Sequence, residues 1–130
     1  MTESAHERRP IENVSAVLGV RLDEPSVRWM IDLLCMNRLL RFTPIGLVYL
    51  NCSHDSTDYD ETRYSVVETT TERRAMSSEE LHRYQYVEDG DSARPFWIVG
   101  IHGSGMVITV VCDDFSLESL DLAEHYPQTA

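Results

Sequence analysis

The chain has 130 residues, 42% of them hydrophobic and 25% charged, which suffices for one buried core and is too short for two ordinary domains. Twenty-two carboxylates against eleven basic residues, all arginine, give a formal net charge of −11 at neutral pH. Such a field repels nucleic acid and anionic lipid and favours encounter with a basic protein.

Residues 1–9 are polar and charged without apolar period, and they predict a flexible N-terminal arm ahead of a single α+β domain over 10–127. From Pro10, the spacing of Ile11, Val14 and Leu18 predicts a short helix ending at Gly19. Asp23 and Pro25 open a second helix, whose broad stripe of Val27, Met30, Ile31, Leu34, Leu39 and Leu40 makes it the central core helix. After Pro44 the pattern turns to strand: 45–50 is a buried strand, 53–61 an acidic exposed loop and 64–70 a second strand.

Ser77 and Glu80 have the spacing of a capping box, so one or two helical turns follow before a strand over 84–87 and an Asp89-Gly90-Asp91 turn. The apolar runs 96–101 and 106–111, joined by His102-Gly103-Ser104-Gly105, predict an antiparallel hairpin. Ser116 opens a final helix through Leu117, Leu120 and Ala123, closed by Pro127. The sum is a predominantly antiparallel sheet of about five strands, with N-terminal helices and a C-terminal helix packed on it.

No constellation meets the geometry of an enzyme or a metal site. The carboxylates of 55–61 lack the spacing and sharp-turn glycine of an EF-hand, and no two histidines stand four apart. Ser104 is preceded directly by glycine, unlike a nucleophile elbow, and a phosphate loop needs a lysine that this chain lacks. Cys35, Cys52 and Cys112 form no CxxC pair and sit in or beside apolar stretches, the pattern of reduced, packed thiols. Asp113 and Asp114 read as favourable charge ahead of the last helix, and not as a glycosidase pair. The expectation is a non-enzyme with no cofactor and no metal. No apolar run approaches the ~20 residues that cross a bilayer, and the first residues lack a secretory apolar core, so the expected location is cytoplasmic.

Three stretches, 67–74, 86–91 and 97–115, resemble successive strands of SUKH-superfamily proteins, whose bacterial members include immunity proteins that neutralise toxin domains. The resemblance implies a non-enzymatic, acidic protein-binding module directed at a basic toxin or nuclease domain. Charge makes the acidic segments the expected contacts: Asp55, Asp58, Tyr59, Asp60 and Glu61 in one, Glu88, Asp89 and Asp91 in the other, with Tyr64 and Tyr86 as further aromatic anchors. The alternative is a homodimeric assembly, chaperone-like or viral accessory protein.

Overall fold

A computed structural model describes residues 11–23, 25, 27–54, 64–84, 95–103 and 105–127. The expected N-terminal arm, the Asp89-Gly90-Asp91 turn and most of the expected strand at 84–87 lie outside them; Tyr84 itself caps the C-terminus of a helix.

Among the described residues, six antiparallel strands close into a barrel: β1 (Val14–Asp23), β2 (Arg28–Cys35), β3 (Arg38–His54), β4 (Tyr64–Ala75), β5 (Pro95–Gly103) and β6 (Met106–Leu120), in the order β1-β2-β3-β6-β5-β4. Two three-stranded meanders therefore meet along β3 and β6, and close again where β1 touches β4. The helices among the described residues are α1 (Ser78–Arg83) and α2 (Leu122–His125). The expected α+β layout, with helices packed on a sheet of about five strands, is thus overturned.

Each misread helix has a physical cause. In β1 the register shifts between Val14 and Ala16 and again between Val17 and Gly19. Each bulge moves the inward face by one residue, so Val14, Val17 and Val20 all meet the core at intervals of three, an interval that a helix would also produce. Around β2 both faces are covered: Ile31 and Leu33 point into the barrel, Asp32 between them is fully buried on the other face, and alternation disappears.

The helix expected over 23–40 is instead a hairpin, with Cys35 paired to Arg38 across Met36 and Asn37, both at positive φ (51° and 68°). The helix expected from Ser116 gives way to β6, whose Phe115 and Leu117 still face the core; only the four residues of α2 follow. Asp113 and Asp114 accordingly lie within a strand and lead into no helix.

The expected strands over 45–50 and 64–70 lie within β3 and β4, although 45–50 is not the buried strand expected, with Ile45 and Leu47 exposed and Val48, Tyr49 and Leu50 half-buried. The 96–101/106–111 hairpin is the β5–β6 pair, with Gly105 at φ 99° in its turn. The capping box is formed as expected: Glu80 N–H donates to Ser77 Oγ at 3.2 Å, and the Glu80 carboxylate accepts from Ser77 N–H. Inside the barrel, Phe115 packs on Phe42 (4.9 Å between ring centres) and on Trp97 (5.1 Å), among Ile31, Leu33, Val99, Ile101, Ile108 and Val110. A second cluster, Met76, Leu81, Phe96 and Val111, seats α1 against the barrel wall. No helix among the described residues is long and apolar enough to cross a membrane.

Candidate binding groove

The two lines along which the meanders meet are unequal. β3 and β6 pair along nearly their whole length, from Leu39↔Leu120 to His54↔Met106. β1 and β4 pair at only two positions, Ala16↔Ser65 and Val17↔Tyr64. Before Val14 the chain drops out of strand pairing but stays beside β4: Asn13 adopts φ 62°, a left-handed conformation that asparagine tolerates, and residues 11–13 form a strap facing that strand. The side chain of Ile11 is buried in the core, and the Thr69 hydroxyl donates to the Ile11 carbonyl oxygen.

Strap and strand enclose an open groove of about 460 Å³, bounded by residues 11–14 on one side and by Val66, Val67, Glu68, Thr69 and Thr71 on the other. Glu12 and Glu68 are exposed in its walls, and no arginine or histidine is among the described residues that line it. Along this side of β4 beyond Ser65, no backbone hydrogen bond to another described residue is formed. Among the described residues the groove thus combines backbone donors and acceptors without a backbone partner, two carboxylates and two threonine hydroxyls, which suits an extended polypeptide of opposite charge. Its described lining holds no nucleophile paired with a base.

Eight expected contact residues, Asp55, Asp58, Tyr59, Asp60, Glu61, Glu88, Asp89 and Asp91, lie outside the described residues, as does Tyr86. Their attachment points are described. The first acidic segment leaves from His54, paired with Met106, and returns at Tyr64, beside the groove. The second runs from Tyr84 to Pro95, and Pro95 pairs with Ala75 at the far end of β5. Eight steps of strand separate the two ends of β5, roughly 26 Å at ~3.3 Å per residue. The described attachment points of the two segments therefore lie near opposite ends of β5, those of the first beside the groove.

Sequence reasoning missed both the groove and the one fully buried charged residue among those described, Asp32. Arg41 donates to both its oxygens (2.8 and 3.1 Å), Tyr126 Oη donates to Oδ2 at 2.6 Å, and Arg21 lies 3.5 Å away. Burial alone would raise the Asp32 carboxyl, but the hydrogen bonds from Arg41 and Tyr126 and the charges of Arg41 and Arg21 hold it below the usual aspartate range. Burial, with the carboxylate it serves, pushes the Tyr126 phenol up to about 12. Every oxygen of Asp32 is already engaged, so the cluster acts as a clasp that pins the C-terminal segment to the outside of β1, β2 and β3.

The thiols differ from the packed set that the sequence suggests. Cys112 is buried, its pKa pushed up to about 12 by burial and by the charges of Asp114 and Asp113. Cys35 is half-buried, and Cys52 is exposed. No model of a known protein family matches this chain, and no curated protein matches it.

Proposed function

We propose that the protein is a non-enzymatic binding module that holds a basic protein partner, and that its location is cytoplasmic. The observation that carries the proposal is the acidic groove beside an open strand edge, on a chain of net charge −11. A field of this sign steers a cationic partner to the surface, and carboxylates beside free backbone groups give it a place to dock. Neutralisation of a cationic toxin or nuclease domain is the form of binding that the SUKH resemblance implies. Free thiols at Cys35, Cys52 and Cys112 support that location, since a reducing compartment favours them.

Self-association is the second reading, favoured by Leu22, Val27 and Trp29, exposed together at the β1–β2 end where Leu22 pairs with Trp29. The test is capture of partners from the host, followed by purification of the pair and titration at 50 and 500 mM salt. A stoichiometric complex with a basic protein, weakened at least tenfold by the higher salt, is expected. A chain that associates only with itself, indifferent to salt, would overturn the proposal in favour of the apolar dimer.

A further inference from the structure

We infer that the groove between the strap and β4 receives an extended, arginine- or lysine-bearing segment of the partner, which adds as a strand to the open edge of β4. The inference rests on the proposed function and names the place and mode of contact.

A closed barrel normally has no edge to offer, because every strand is paired on both sides. Here the pairing of β1 with β4 stops at Ser65, while β4 continues for ten more residues, up to Ala75. On its other side the same stretch is paired with β5, with a register shift between Val66 and Glu68 and regular pairing from Glu68↔His102 to Ala75↔Pro95. A segment entering the groove would find β4 backed by a formed sheet from Glu68 onward, and would lose little further entropy in the receptor there.

Charge decides the occupant. An added strand running past residues 66–71 spans roughly 20 Å at ~3.3 Å per residue and passes Glu68 on one wall and Glu12 on the other. Both are exposed carboxylates, and neither is taken by an arginine in the groove wall. Cationic side chains on the added strand meet them, whereas an acidic segment is repelled by the same pair. The half-buried Thr69 and Thr71 favour small or β-branched residues at the intervening positions.

A second copy of the chain is a poorer occupant. The cations on its own β4 are Arg73 and Arg74, and Arg74 is already bound by Glu80 through two hydrogen bonds (3.1 and 3.0 Å) and by Glu72 at 3.1 Å.

The probe is a fluorescent octapeptide of alternating arginine and valine, titrated into the full chain by anisotropy. Its control is the same peptide N-methylated on alternate amides, which keeps the charge and removes the strand-pairing donors. The expected result is binding that falls at least tenfold on N-methylation, and again at least tenfold for the unmodified peptide in the Glu12→Arg/Glu68→Arg double variant. Equal affinity for both peptides would overturn strand addition without involving any variant that might misfold. A double variant that keeps its circular dichroism spectrum, and still binds the captured basic partner at full affinity, would overturn the groove while leaving the binding-module reading intact. Failure to find any basic partner would instead remove that reading.

Discussion

At the scale of single residues, Asp32 has the largest consequence for stability. A carboxylate fully buried on the outer face of β2 would be costly without partners, and Arg41, Arg21 and Tyr126 supply them. Removing its charge by Asp32→Asn leaves Arg41 without its counter-ion, a loss of about 3 kcal/mol for a buried pair. Because the folded pKa of Asp32 is depressed, its contribution is full above the unfolded value near ~4 and is lost as pH falls through the folded value. The Tyr126 phenol is raised to about 12, so its contribution is full below the unfolded value of ~10 and is lost as pH climbs towards 12. Urea unfolding of wild type and Asp32→Asn should therefore show a gap that is widest between about pH 5 and 9 and narrows in acid. A gap unchanged from pH 7 to pH 2 would remove the clasp. The sequence did carry a sign of this site, a lone aspartate inside an apolar run, but its partners at 21, 41 and 126 converge only through the barrel.

At the scale of elements, the β2–β3 turn shows why strands were read as a helix. Met36 and Asn37 occupy left-handed conformations in a two-residue turn, a place where Asn-Gly is favoured and methionine is not. With no glycine to mark the turn, apolar residues recur at spacings a helix would also show from Val27 to Leu40, straight through it. Met36 is 71% exposed, so exchanging it forfeits little burial. The Met36→Asn/Asn37→Gly double variant should raise stability by about 0.5–1 kcal/mol, measured by thermal or urea unfolding. A loss of stability would mean that the turn is not of the two-residue, positive-φ kind. Elements whose local chemistry is explicit were legible: the Ser77/Glu80 capping box and the glycine-bounded β5–β6 hairpin are both present.

At the scale of the whole molecule, closure of the barrel could not be read from local patterns. It depends on which strands meet: β3 with β6 along a long ribbon, and β1 with β4 over two residue pairs. The bulges in β1 that let the sheet curl are the same irregularities that disguised its period. The acidic character of the protein was plain in composition, whereas the groove was not, because it forms between residues 11–14 and 66–71, more than fifty positions apart. The contacts expected in the two acidic segments lie outside the described residues, and only the attachment points of those segments, near opposite ends of β5, are described.

The most direct test of the account is backbone amide exchange of the full chain, alone and with its purified basic partner. In the free chain, the account predicts fast exchange at the open-edge amides of residues 66–74 and slow exchange along the β3–β6 ribbon. Addition of the partner should slow the β4 amides while leaving the ribbon unchanged. Protection confined to the β1–β2 end, around Leu22 and Trp29, with β4 unaffected, would contradict it.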